Sequence, residues 1–427
     1  MLKLRTQKWF FFTCCNLLIV SLAGLSLRAF HCFDIRGINY LYLLQGHSHF
    51  AFAGWGFLVL FIALTYTFIP AEKFFNKHYT LIFISGEITA WSMLISFPME
   101  GYATTSTTFA ALYIFVTYWF SWRFLKDLPA ENKNLLSTKF VKAAVFFLVI
   151  SSIGPFSMGP IMAMGLKNTP VVPNAIYFYL HFQYNGWFMF GILALFFRWL
   201  EKKDICYRPK PALSFYRLLF FSCFPAYLLS VLWSKPGTII FFIAAAAGTV
   251  QLFSLIPLIR SLKVCRHKLF RLLKNNNKVL GIIISILFSL KMLMQFLSSF
   301  PYFVRWLTSA RNLVIAYLHL VLLGVFTLFI FAFFTEERIL ELNNLAKKGL
   351  WIFLSGLFIT EILLFAQVVL NYFNTLIPHF DTLMFYSTIL LPLGIGSMIA
   401  GGFFKKSIFA GRSPSLENSF ENAGMNI

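Results

Sequence analysis

The sequence predicts an all-α, polytopic membrane protein of twelve transmembrane helices, and three observations predict it. First, 59% of its 427 residues are hydrophobic and 19% aromatic, with 55 phenylalanines, while only 12% are charged. A soluble chain has about 45–50% apolar and about 25% charged residues, so this composition cannot be enclosed in one aqueous core. Second, the apolar residues gather into twelve runs, each close to the ~20 residues that cross a hydrocarbon layer. Third, Lys and Arg alternate between rich and poor connections along the chain. Together these exclude a soluble enzyme, a disordered chain and a secreted disulfide scaffold. The six cysteines include no Cys-x-x-Cys pair, which removes the short zinc, thioredoxin and c-type haem attachment patterns.

In chain order the expected spans are 9–29, 40–69, 79–98, 104–125, 139–166, 175–200, 215–233, 238–262, 279–303, 311–334, 350–371 and 381–404. The first follows Lys3, Arg5 and Lys8 and continues to about Ala29 with no small-residue cleavage site, so it reads as a span and not as a removed leader. The fifth contains Gly154-Pro155 and Gly159-Pro160, which predict a kink in its second half. Residues 1–404 form a single transmembrane domain, and 405–427 are a polar cytoplasmic tail. With the first residue inside, 29 of the 36 basic residues fall on the inner side and six on the outer, leaving Lys291 alone in mid-span. That bias places both termini in the cytoplasm. It also accounts for the net charge of +21 without nucleic acid: the partner is a lipid bilayer, whose anionic headgroups meet the inner basic residues, the run Lys263 to Lys278 included.

Ionisable side chains within spans are functional candidates. His31, His78, His267 and His379 fall in connections, whereas His47 and His49 lie in span 2, His181 in span 6 and His319 in span 10. All three spans enter from the outer side, and the four imidazoles lie roughly 10–14 Å below the helix starts. Imidazole is the commonest metal ligand and an axial ligand of haem iron. Two histidines on facing helices can clamp one flat macrocycle, and Gly46, Ala51, Ala53, Gly54, Gly56, Gly186 and Gly324 supply small neighbours. Residues i and i+2 are about 200° apart on a helix, so only one of His47 and His49 can face a given iron. Arg311, about two turns above His319, and Arg305 suit the carboxylates of a haem. Lys291 and Glu361 fall at similar depth and are expected to pair or to share a network with Gln295 and Gln367, and Glu87 is expected to bond to a neighbouring helix.

Spans 2, 6 and 10 carrying histidine resemble subunit I of the haem-copper oxidase and nitric oxide reductase superfamily. The stretch Ala316-Tyr317-Leu318-His319-Leu320-Val321-Leu322 is similar to its helix 10, with His319 at the low-spin haem ligand and Tyr317 where the high-spin ligand would stand. His49, by its spacing to Ile69-Pro70, resembles the ligand of helix 2 in the nitric oxide reductases, which favours it over His47. His181 matches the helix 6 ligand of the second metal. The adjacent histidine pair of helix 7 is absent, because this chain reads Phe221-Ser222-Cys223-Phe224-Pro225-Ala226-Tyr227. Gly46-His47-Ser48-His49 is similar to the His-x-His opening of NnrS-family proteins, twelve-span haem proteins linked to nitric oxide stress.

The resemblance implies a bundle like subunit I in a bacterial inner membrane, holding a low-spin haem b between His49 and His319. A copper or other second metal would have His181, with His47 near, but lacks a complete binuclear centre. It implies electron transfer or a response to nitric oxide or oxygen, with an electron donor or oxidase subunits as partners. If catalysis remains, it is oxidoreductase chemistry. The competing expectation is a transporter of a small solute or metal ion, against which stand the lack of repeated halves and of paired broken helices.

Overall fold

A computed structural model describes residues 1–300 and 311–403. Helix accounts for 84% of it, and no strand occurs among the described residues. Twelve long helices follow in order: α1 Leu2–Ala29, α2 Tyr40–Phe68, α3 Lys77–Glu100, α4 Thr104–Asp127, α5 Leu136–Ala163, α6 at 171–202, α7 Pro209–Ser234, α8 Thr238–Leu262, α9 Asn275–Leu297, α10 Asn312–Glu336, α11 Asn344–Tyr372 and α12 Phe380–Phe403. Each coincides with one expected segment. Ten of them are long and apolar enough to cross a bilayer; α4 and α6 are not in that set. Their many Thr, Tyr, Asn and Gln residues dilute the apolar signal without shortening the helix. The chain is a multi-pass membrane protein, and its outward side chains agree: Phe12, Ile88, Phe115, Trp122, Phe242 and Ile362 are all at least half exposed, as lipid-facing residues are.

Local chemistry sets several ends. Asn39 starts α2 by accepting from the Leu41 and Tyr42 N–H groups at 2.9 and 3.2 Å, and Asn343 starts α11 through Ala346 N–H at 2.9 Å. The ring of Pro155 removes the N–H that would bond the Ser151 carbonyl, and α5 is interrupted at Ser152, as the proline pairs predict.

The interior belongs to α2 and α6. The apolar window of α2 is 89% buried, against 28–56% in the nine other apolar helices. Much of the phenylalanine is spent here: Phe57 packs on Phe120 and Trp187 at 5.7 and 6.1 Å, Phe61 on Phe120 at 5.3 Å, and Phe188 on Phe326 of α10 at 4.7 Å. Edge-on and tilted ring contacts hold helices together where lipid would otherwise compete equally for each ring.

A feature that the spacing of apolar residues does not predict joins these inner helices. Each of α2, α6 and α10 widens into π-helix at Ala51–Phe57, Phe182–Phe188 and Leu320–Thr327, directly after its histidine or two residues beyond it. Every fourth helix thus repeats one device. A π segment shifts the hydrogen-bond register and leaves carbonyls to be satisfied from outside. Asn16 of α1 does this, donating to Gly54 O at 2.8 Å and to Glu87 Oε2 of α3 at 2.9 Å. Glu87 therefore bonds to a neighbouring helix as expected. Trp55 Nε1 donates to Thr327 Oγ1 at 2.9 Å, tying the first π segment to the third. Replacing Asn16 by Leu is expected to lower stability by about 2 kcal/mol, since it strips donors from a buried carbonyl and a half-buried carboxyl. The unfolding midpoint in detergent measures it.

Candidate functional site

His47 and His49 stand on opposite faces of α2, as their spacing requires. His47 turns to α1: its Nδ1 lies 3.1 Å from Val20 O, and its ring lies against Gly24, where an added methyl carbon would sit 3.3 Å from the ring. A carbonyl only accepts, so Nδ1 carries the proton and Nε2 keeps a bare lone pair. His49 turns to α3. Its ring stacks on Phe97 at 4.2 Å and 6°, and Nε2 bonds the Tyr102 hydroxyl at 3.1 Å.

His319 closes α10 at the start of its π segment. Its Nδ1 lies 3.8 Å from Glu361 Oε1 on α11, close enough for charges to act and too long for a hydrogen bond. Arg28, in the last turn of α1, is the cation that acts on His319, and His47 lies within electrostatic reach of the same ring. Arg28 in turn feels Glu361, Asp381 and Tyr40. One polar neighbourhood therefore joins α1, α2, α10, α11 and α12 at one end of the bundle. Both carboxylate oxygens of Glu361 are buried and lack a hydrogen-bond donor.

On α2 it is His47 that lies within electrostatic reach of His319, while Phe97 and Tyr102 hold the His49 ring on the opposite face. Of the arrangements expected for Lys291, the bond to Gln295 forms and the pair with Glu361 does not. Lys291 Nζ donates to Gln295 Oε1 at 2.7 Å, one turn along its own helix, while Glu361 faces His319. Gln367 is engaged with Asn371 and the Ile377 N–H, apart from both. Arg28 is the residue that the sequence reading missed; it counted only as a basic residue at the end of a span. Arg305 lies outside the described residues, as does the Arg311 side chain and the tail beyond Phe403.

His181 sits elsewhere and is buried. Nε2 lies 2.8 Å from Cys223 O and Nδ1 3.1 Å from Asn185 Nδ2, so both ring nitrogens are occupied. Cys223 Sγ is 3.9 Å from Nε2, and Tyr184 packs edge-on to Tyr317 at 5.8 Å. Lys291 is the cation acting on His181 and on Cys223. Where the resemblance expects a second metal, the chain has assembled a lysine, a thiol and two phenols, and among the described residues no three His, Cys, Asp or Glu side chains converge to hold a metal ion. Copper does not fit this cluster. The other cluster holds His47 with Nε2 bare, His319 with Glu361 Oε1 3.8 Å from its Nδ1, and Arg28 acting on both rings.

Gln295→Leu is expected to destabilise the protein by about 3 kcal/mol, because it leaves a buried ammonium without its acceptor. Lys291→Met, which removes the charge itself, is expected to change stability by about 1 kcal/mol or less. Thermal unfolding of the two variants side by side makes the comparison.

Compared with known family profiles and with curated proteins, the sequence gives no match.

Proposed function

We propose that the chain is a haem-binding membrane protein that grips one iron porphyrin between α2 and α10 with His47 and His319, crossing a bacterial inner membrane twelve times with both ends cytoplasmic. The observation that carries this reading is the contact from His47 Nδ1 to Val20 O. It orients the ring and fixes the tautomer with Nε2 open, the arrangement metal-bound histidines commonly take. Glu361 stands 3.8 Å from His319 Nδ1 without a hydrogen bond to it, and its undonated oxygens suit a neighbour that becomes a stronger donor when its other nitrogen is bound. Arg28 offers a guanidinium fork to a carboxylate of the porphyrin edge. A haem held by both His47 and His319 would supply one-electron transfer and would have no open place for a gas. The 29-to-6 division of basic residues supports twelve crossings, α4 and α6 among them.

The test is the visible spectrum of the protein purified in detergent from haem-replete cells. A Soret band with sharp reduced α and β bands, lost in His319→Ala, is the expected result. A colourless wild-type preparation would falsify the reading and favour the transport alternative.

A further inference from the structure

At the end of the bundle that carries most of the basic residues, a cavity of about 520 Å³ opens between the start of α9, the end of α10 and the start of α11. Its lining holds three cations, Lys274 just before α9, Arg338 between α10 and α11, and Lys347 in the first turn of α11, beside the carboxylate of Glu341; Lys274 Nζ spends one of its three donors on Thr335 O at 2.6 Å. Its lining includes Thr335, a side chain only 4% exposed whose Oγ1 has no hydrogen-bond partner. A buried hydroxyl left unmade is costly, and such groups in native folds usually await an acceptor. The nearby acid Glu336 accepts from the Lys274 N–H at 3.1 Å and from Asn277 Nδ2 at 2.7 Å, both neutral donors, so with Glu341 it sets two negative charges against the three cations and the balance stays positive. The N-terminal ends of two long helices, α9 and α11, add positive potential to the same opening.

We propose that this cavity binds a phosphate group. A carboxylate brings two oxygens and one charge. Three cations and a neutral hydroxyl donor, spread over three sides, match a group with several free oxygens and up to two charges. The size admits a phosphorylated small molecule or the headgroup of a phospholipid, and the shared chemistry is the phosphoryl group. The site is separate from the histidine pair and does not depend on haem.

Arg338 makes the test clean. Its backbone is left-handed, with φ of 56°, a conformation that glycine adopts without strain. Arg338→Gly therefore removes the guanidinium while relaxing the fold. The full chain in phosphatidylcholine vesicles is titrated with inorganic phosphate at constant ionic strength set by chloride, and the unfolding midpoint is followed. A saturable rise is expected in the wild type, with binding about tenfold weaker in Arg338→Gly and in Lys347→Gln. The titration is repeated in vesicles containing about one quarter phosphatidylglycerol. Loss of the phosphate response there, with the midpoint already raised, identifies a headgroup as the occupant. An unchanged response identifies a soluble phosphate. A rise that does not saturate, that chloride alone reproduces, or that both variants retain in full would overturn the proposal.

Discussion

Substituting His47 by alanine is expected to remove the Soret absorption proposed for the purified protein, whereas His49→Ala is expected to leave it in place. The two residues are neighbours in sequence and equal in chemistry, so only geometry separates them. His47 presents an unprotonated Nε2 within the charged surroundings of His319 and Arg28. His49 has its nitrogen on the Tyr102 hydroxyl and one ring face on Phe97. Freeing His49 would break both contacts and then require α2 to rotate by about half a turn. The expected difference is therefore complete retention against complete loss. His49→Ala should instead appear as a loss of stability of about 1–2 kcal/mol from the ring stack and the hydrogen bond. Added imidazole should restore the band to His47→Gly, which separates a missing ligand from a damaged fold. The opposite pattern, colour lost with His49 and kept without His47, would mean that the wrong face of α2 has been assigned.

Gly349→Val is expected to be among the most damaging single changes in the chain. Helices α11 and α12 touch backbone to backbone here: a Cβ on Gly349 would lie 2.6 Å from Gly394 O and 2.7 Å from Met398 N. Gly394 is its mirror, 2.5 Å from Phe353 N and 2.7 Å from Gly349 O. Neither obstacle is the end of a flexible side chain, so the helices themselves must part. In a bilayer, close approach supplies much of the helix attraction, because lipid offers an apolar side chain as good a contact as protein does. A loss of about 3 kcal/mol or more follows, with lower yield and a lower unfolding midpoint. Glu361 rides on α11, so displacement of that helix also moves the group behind His319. Gly396, also on α12, meets nothing within 4 Å, and Gly396→Ala should stay within about 0.5 kcal/mol of the wild type.

Part of the inner architecture was readable and went unread. His49-x4-Gly54, His181-x4-Gly186 and His319-x4-Gly324 have one spacing, five residues, which is the hydrogen-bond step of a π-helix. That repeat marks the three inner helices, and a scan for apolar periodicity passes over it because the first and third stretches are apolar on every side and the second is broken by Gln183 and Asn185. Of the arrangements expected for Lys291, the bond to Gln295 forms and the pair with Glu361 does not, for a related reason. Depth along a helix is legible from counting, but the direction a side chain takes around the axis depends on which neighbour each face meets. Gln295, one turn away on α9, was the nearer acceptor.

By itself the sequence determined that this protein lives in a membrane, that it is helical throughout, and where each long helix begins and ends to within several residues. Those properties follow from apolar length and from the need of every backbone polar group for a partner in hydrocarbon, both of which are local. Only the tertiary structure decided that His47 turns to Val20 and His49 to Phe97 and Tyr102, that Glu361 lies beside His319, and that His181 is spent on Cys223 and Asn185. In an aromatic interior all faces of a helix are nearly alike to the sequence, so the rotation of each helix is set by its packing, and the site is made by rotation.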